Sequence, residues 1–358
     1  MLLEQEVKKS ARNIFTDSYE MSIGELVSLY RDEEIDINPE FQRLFRWKPE
    51  QKTRLIESIL LGIPIPPIFV FTNEQSIWEL IDGLQRTSTI FEFLGVLRNP
   101  DGGLYVPSIL NGTDLLPSLK GKTWDSENSI DKSLQLSFRR ARIRVEILKK
   151  ESDPRSKFEL FQRLNTGGVN LEPQEIRNAS MLMIDKDFYK WLKRLSENTD
   201  FIHTISQTDP AAKMQKPMEL CLRLLAYKYV KYDGKKDANE YIDSSMISLI
   251  TRDFNKDIIS KDFEDTFSIL NRSLGNNVFK KFSKDRFLGA FSLSAFEAIG
   301  YGVFENIDEI RKLTTYDPSS AIKSVWSNQT FQKYSGSGVR ATQRLAKLLP
   351  LGAKLFQP

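Results

Sequence analysis

The stretch from residue 63 to residue 97 constrains the fold more than any other part of the chain. An apolar, proline-containing run over 63–71 predicts an extended entry into a buried strand, and residues 77–81 predict a second strand. The second apolar run stops at Asp82-Gly83, and a helical pattern begins at once and continues over 84–97. Two strands followed directly by a helix form an α/β unit, so we expect this unit to be the core of the first half of the chain.

The turn between the second strand and the helix has the chemistry of an anion site. A helix that begins abruptly after Gly83 leaves its first N–H groups without partners and points its positive dipole end outward. Arg86 adds a planar set of donors suited to phosphate, and Asp82 is able to hold a metal ion or position a water. The alternative is that Asp82 only caps the helix and Arg86 pairs with a nearby acid.

The composition narrows the chemistry that these residues can perform. One cysteine, Cys221, excludes an internal disulfide and a multi-cysteine metal site, and one histidine, His203, excludes nucleases that use paired histidines. Both side chains are expected to be structural. Any catalysis has to use carboxylates, cations, hydroxyls and a hard metal such as Mg²⁺.

The amino-terminal residues lack a secretory signal and no apolar run is long enough to span a membrane, so we expect a reducing, cytoplasmic location.

The charge is distributed unevenly along the chain. Residues 318–358 contain six Lys and Arg and no Asp or Glu, so this tail carries +6 while the whole chain carries only +3. Three of its cations, Arg340, Arg344 and Lys347, have the spacing of one helical face. A second basic surface is predicted on a strand over 138–147, where Arg140, Arg142 and Arg144 alternate with apolar residues. Each surface is either a nucleic-acid contact or an ordinary solvated face.

After residue 150 the pattern is almost entirely helical. A helix that ends at Asn165-Thr166-Gly167-Gly168 is followed by a restart at Pro173. Further helices are predicted over residues 187–196, 214–231, 240–272, 285–301 and 339–356. The fold class predicted from the pattern is therefore α+β, with an α/β core over residues 1–150 and a helical domain over 151–358 that carries the basic tail.

Four ordered motifs resemble the domain of unknown function 262 family, the amino-terminal domain of GmrSD-type restriction enzymes and SspE phage-defence proteins. The motifs are Asn38-Pro-Glu-Phe-Gln-Arg43, Ile63-Pro-Ile-Pro-Pro67, Ile81-Asp-Gly-Leu-Gln-Arg86 and Phe161-Gln-Arg-Leu-Asn-Thr-Gly-Gly168. The resemblance covers about residues 20–230 and implies that the core is ParB/sulfiredoxin-like. Leu84 stands where the family usually has Gln. A direct role of that glutamine's side-chain amide is therefore not expected in this protein.

The resemblance also implies roles for individual residues. Asp82, Gln85 and Arg86 are expected to be catalytic in Mg²⁺-dependent hydrolysis of a nucleoside triphosphate, with Asp82 as the metal ligand. Expected nucleotide contacts are Gln42, Arg43, Gly83, Thr87 and Asn165. The family's larger members carry an HNH-type nuclease domain. This sequence contains one histidine, so we do not expect the protein to be a nuclease by itself.

Two functions remain open at this point. The first is a nucleotide-binding sensor or regulatory subunit of a prokaryotic anti-phage or modification-dependent restriction system, acting with a separate nuclease chain. The second is a non-enzymatic DNA-binding or antitoxin-like partner of a HEPN-type nuclease, which would use the two basic surfaces.

Overall fold

The computed structural model of the chain forms two compact units, Met1–Asn170 and Leu171–Pro358. It describes residues 3–4, 16–37, 47–99, 101–149, 158–159, 162–163, 173–206, 216–336 and 338–358. The fold class is confirmed, because a mixed five-stranded sheet with helices in the first unit is followed by a mainly helical second unit.

The first unit is built on a mixed sheet with the strand order β1-β5-β3-β4-β2. The strands are β1 Thr16–Ser22, β2 Ile35–Asp36, β3 Ile68–Thr72, β4 Trp78–Asp82 and β5 Arg142–Leu148. The helices of this unit are α1 Ile23–Arg31, α2 Pro49–Leu61, α3 Leu84–Phe93 and α4 Lys132–Arg140. Strand β3 lies in the middle, antiparallel to β4 and parallel to β5.

Local sequence signals set the ends of the first two helices. The Ser22 hydroxyl caps α1 by accepting a hydrogen bond from the Glu25 amide at 3.1 Å. Helix α2 begins at Pro49 and ends at Gly62, whose φ of 70° is the left-handed conformation that glycine adopts without strain.

The core of the first unit lies between the sheet and its helices. Ile68 and Val70 of β3 are fully buried in one apolar cluster with Ile56 of α2 and Phe91 of α3. Phe91 also stacks on Tyr30 of α1, with ring centroids 4.3 Å apart. Residues 87–93 of α3 are all buried, so this helix is held along most of its length and its first turn is left at the surface.

The strand predicted over 138–147 is partly wrong. Residues 138–140 belong to α4, and β5 begins only at Arg142. Phe138 is fully buried on the last turn of α4, where it packs against Phe93 and Trp124 with centroid distances of 5.7 and 5.6 Å. Arg140 is therefore the last residue of a helix and does not share a strand face with Arg142 and Arg144.

The described residues of the second unit form helices and one short hairpin. Its helices are α5 Pro173–Ile184, α6 Lys186–Ser196, α7 Thr199–Ile205, α8 Lys216–Tyr229, α9 Ala238–Thr251, α10 Lys256–Leu274, α11 Leu293–Ala295, α12 Tyr301–Glu305, α13 Ile307–Ile310, α14 Ser319–Val325, α15 Gln329–Tyr334 and α16 Ala341–Leu355. A π-helical turn, Phe296–Gly300, joins α11 to α12, and the hairpin strands are β6 Lys281–Ser283 and β7 Arg286–Leu288.

Two predictions for the second unit are wrong in detail. The single helix expected over 240–272 is two helices, α9 and α10, and the start of the helix expected over 285–301 is strand β7. Among the described residues, no helix is both long and apolar enough to cross a membrane.

Candidate functional site

The site begins where β4 passes into α3 through a single glycine. Gly83 has a φ of 102°, and a Cβ atom placed there would lie 2.6 Å from Cγ2 of Ile68. The position therefore requires glycine for two reasons, its backbone conformation and the close approach of β3. The strand–glycine–helix turn that the sequence predicts is present.

Asp82 and Arg86 form an ion pair across this turn. The Arg86 Nη2 atom donates to the Asp82 carboxylate at 2.8 Å and to the carbonyl oxygen of Pro67 at 2.9 Å. The Arg86 side chain is 16% exposed and that of Asp82 is 29% exposed, so the pair is partly accessible to solvent. The alternative interpretation, that Arg86 pairs with a nearby acid, is thus what the structure shows.

Several polar atoms around the first turns of α3 are buried without partners. No side chain among the described residues caps the amino end of α3. Among the described residues, the Arg86 Nε atom and the hydroxyls of Thr87 and Ser88 are buried and make no hydrogen bond. Each such group costs about 1–3 kcal/mol if it stays unsatisfied, so this turn favours a bound water or ligand. Thr87 itself is fully buried, beneath the surface of the turn.

Gln85 links this turn to the segment that precedes α2. Its Oε1 atom accepts a hydrogen bond from the Trp47 amide at 3.1 Å. Three predicted nucleotide contacts, Gln42, Arg43 and Asn165, lie outside the described residues.

The basic strand face is neutralised by acids. Arg142 lies 3.7 Å from the Glu20 carboxylate of β1, and Arg144 Nε donates to Glu146 at 2.6 Å on the same strand. Arg140 is exposed at the end of α4. The three arginines therefore do not form the continuous basic wall that the sequence pattern predicts.

The basic helix near the carboxyl end also differs from its prediction. Arg344 is bound to the buried carboxylate of Glu297, whereas Arg340 and Lys347 are exposed. Lys354 is exposed as well, seven residues after Lys347, so these two lysines lie on one side of α16, and Arg340 immediately precedes the helix. The sequence alone could have indicated this set of cations, because Arg340, Lys347 and Lys354 are spaced i, i+7 and i+14.

The described residues hold no preformed metal cluster. No three His, Cys, Asp or Glu side chains among them are arranged to bind one ion. His203 Nδ1 is 2.6 Å from the Asn271 Oδ1, and Cys221 is free and buried. Asp82 is the one described carboxylate at the turn, which suits a cation that arrives with its own phosphate ligands.

In structural terms, the protein has a small α/β domain followed by a helical unit. The α/β domain carries an acid–glycine–arginine turn at the amino end of a helix. Residues 23–182 match the family model described as the GmrSD restriction endonuclease, N-terminal domain. The resemblance carried by the ordered motifs is thereby confirmed over these residues.

Comparisons with other proteins add little to the family match. A search of curated proteins found no match. Among solved structures, the chain is similar to a Pnob8-like ParB-N domain with 13% identity and a TM-score of 0.25, covering 96% of this chain and 99% of that one. The description of an α/β core followed by helices stands on the observed strands and helices alone.

Proposed function

We propose that this protein is a nucleotide-binding sensor or regulatory subunit of a prokaryotic restriction or anti-phage system, acting with a separate nuclease. The observation that carries the proposal is the Asp82–Arg86 turn, where a helix that no described side chain caps begins directly at a strand end. The match to a restriction-enzyme domain supplies the setting. Asp82, Gln85 and Arg86 are the residues on which hydrolysis would depend.

The turn offers both charges that a nucleotide–Mg²⁺ complex needs. Backbone N–H groups at the start of α3 and the Arg86 guanidinium suit phosphate oxygens, and the Asp82 carboxylate suits Mg²⁺. In the structure these two side chains pair with each other at 2.8 Å. Binding a nucleotide–Mg²⁺ complex would exchange this pair for contacts of the same charge type, Asp82 to Mg²⁺ and Arg86 to phosphate.

The hydrogen bond between Trp47 and Gln85 supports a wider site. It holds Trp47 beside the first turn of α3. Gln42 and Arg43 precede Trp47 in the sequence by five and four residues and lie outside the described residues. Their contact with the nucleotide is part of the proposal.

The direct test is calorimetry with Mg²⁺ and each of the four common nucleoside triphosphates. Wild-type protein is expected to bind at least one of them, and Arg86→Ala is expected to bind none. Arg98→Ala is the matched control, because Arg98 forms an exposed ion pair with Glu33 in the same unit. Phosphate release, compared with that of Asp82→Ala, tests hydrolysis. If none of the four triphosphates binds wild-type protein, the proposal is overturned.

The basic side of α16 favours a second candidate function, contact with the DNA backbone. Arg340, Lys347 and Lys354 are exposed, and none forms an ion pair with another described residue. Lys347 and Lys354 are about 10 Å apart along α16, and Arg340 immediately precedes the helix. Such contacts neutralise phosphates without reading sequence. Under this function, Arg86→Ala leaves the affinity for DNA unchanged.

A further inference from the structure

A cleft of about 210 Å³ opens beside the far end of α3. Its walls come from α2, from Glu92 of α3 and from the loop at residues 108–110. A volume below that of a drug-sized site admits a ring system and excludes a whole nucleotide.

The charged groups of the cleft cancel each other. Lys52 Nζ donates to both carboxylate oxygens of Glu92, at 2.9 and 2.7 Å, and their side chains are only 17% and 11% exposed. A tightly matched, largely buried pair presents polar atoms without net charge. The cleft therefore suits an uncharged ligand with hydrogen-bonding edges and does not suit a bare phosphate.

The loop that forms one wall of the cleft is anchored to α2. The Asn111 amide donates to the Thr53 hydroxyl at 3.0 Å, and the Thr113 hydroxyl donates to Glu57 one turn further along α2. Thr53 is 1% exposed, so this anchor is inside the protein. These contacts fix the position of the loop, so the cleft is formed before a ligand arrives. A preformed cleft lowers the entropic cost of binding.

The loop also presents a polar and an apolar group at the cleft. Ser108 lines the cleft, and its hydroxyl oxygen is buried with no partner among the described residues. Ile109 is 65% exposed at the same place. A flat ring with polar edges satisfies both groups.

The cleft lies on the side of α3 that carries Gln85, in the first turn of the helix. Glu92 follows Gln85 by seven residues on α3, so both project from one side of the helix about 10 Å apart. We infer that the cleft beside the Lys52–Glu92 pair takes the purine or pyrimidine base of the nucleotide whose phosphates bind at the turn. This inference rests on the proposed function.

The test compares a nucleoside triphosphate with inorganic tripolyphosphate, both with Mg²⁺, by calorimetry on the full chain. Ile109→Ala removes apolar contact at the cleft, and Ser108→Leu fills it. Each variant is expected to weaken the triphosphate Kd about three- to tenfold and to leave the tripolyphosphate Kd unchanged. Val106→Ala is the matched control, because Val106 lies in the same loop, is 84% exposed and does not line the cleft.

The outcomes separate the two proposals. If tripolyphosphate binds but the nucleoside triphosphate binds no more tightly, or if both cleft variants keep the wild-type Kd, the base lies elsewhere and the proposed function stands. If neither compound binds wild-type protein, both proposals fail. Thermal unfolding of Ser108→Leu checks its folding, and Ile109→Ala, which changes an exposed side chain, remains decisive if Ser108→Leu does not fold.

Discussion

Arg344 and Glu297 form a two-point ion pair between α16 and the π-helical turn. Arg344 Nε donates to one carboxylate oxygen at 2.7 Å and Nη2 to the other at 3.0 Å. Glu297 is fully buried, and its Oε1 also accepts from the Tyr227 hydroxyl at 3.3 Å. Burial, followed by the charge of Glu297, raises the pKa of Tyr227, so this phenol stays a neutral donor. Arg344 therefore has a structural partner inside the second unit.

Replacing Arg344 with alanine is expected to lower the free energy of unfolding by about 3 kcal/mol, because it leaves the Glu297 carboxylate buried without a counterion. Urea unfolding followed by circular dichroism measures this loss. Lys347→Ala, a change at an exposed cation on the same helix, is expected to stay within about 0.5 kcal/mol of wild type. Equal losses in the two variants would show that the pair is energetically unimportant.

Gly83→Ala is expected to destabilise the first unit by at least about 2 kcal/mol. The left-handed backbone alone costs an alanine about 1–2 kcal/mol, and the added Cβ would lie 2.6 Å from Ile68. Gly62 is the control, since its φ is also positive, at 70°, but a Cβ added there would meet no atom within 4 Å. Denaturant unfolding should rank wild type above Gly62→Ala and Gly62→Ala above Gly83→Ala. The reverse order of the two variants contradicts the close approach of Ile68.

The Cys221 thiol is expected to react slowly with a disulfide reagent in the folded protein. Burial raises the pKa of this thiol well above its usual value, and the thiolate is the reactive form. The colorimetric thiol assay should therefore detect one thiol per chain in guanidinium and almost none in native buffer at the same pH. Rapid labelling of native protein would mean that α8 opens readily.

Glu219 is expected to contribute stability that is lost on acidification. Burial by itself raises its pKa, but Arg223 and Lys216, which pair with it at 2.7 Å each, outweigh this and lower the pKa of Glu219 below its ordinary value. The unfolded chain then binds more protons as the pH falls below about 4.5, so the stabilisation is complete above that pH and disappears as the pH falls through the folded-state value.

The measurement for Glu219 is unfolding free energy between pH 3 and pH 7. Glu219→Gln should be less stable than wild type at pH 7 and should lose less stability on acidification. Glu264→Gln, a change at an exposed carboxylate of the same unit, should follow the wild-type curve. A parallel shift of the Glu219→Gln curve at all pH values would contradict the linkage.

Contact of α16 with DNA would appear in the salt dependence of binding. If Arg340, Lys347 and Lys354 each neutralise a phosphate, the triple alanine variant should reduce the slope of log K against log salt by about 2.7. The control replaces Lys190, Lys235 and Lys261, which are also exposed in the second unit, and so removes the same charge. Equal slopes for the two triple variants would exclude a specific role for this helix side.

Much of the first unit follows from local sequence. Pro49 and Gly62 set the ends of α2, and Ser22 sets the start of α1, because helix ends depend on backbone groups only a few residues away. The turn at Gly83 was predictable for the same reason. The division of residues 132–148 into a helix and a strand was not, because Phe138 takes its place by packing against Phe93 and Trp124, which are distant in sequence.

The sequence by itself determined the α/β order of the first unit, the helical second unit, the glycine turn and the basic carboxyl-terminal segment, since periodicity and helix-end chemistry act over a few residues. Tertiary structure decided which charges are free. Arg86 is bound to the carbonyl oxygen of Pro67 on the preceding segment, and Arg344 is bound to Glu297, while Arg340 and Lys347 stay exposed. A charged side chain that becomes buried takes the partner that folding brings within hydrogen-bond distance, and spacing along one helix does not contain that information.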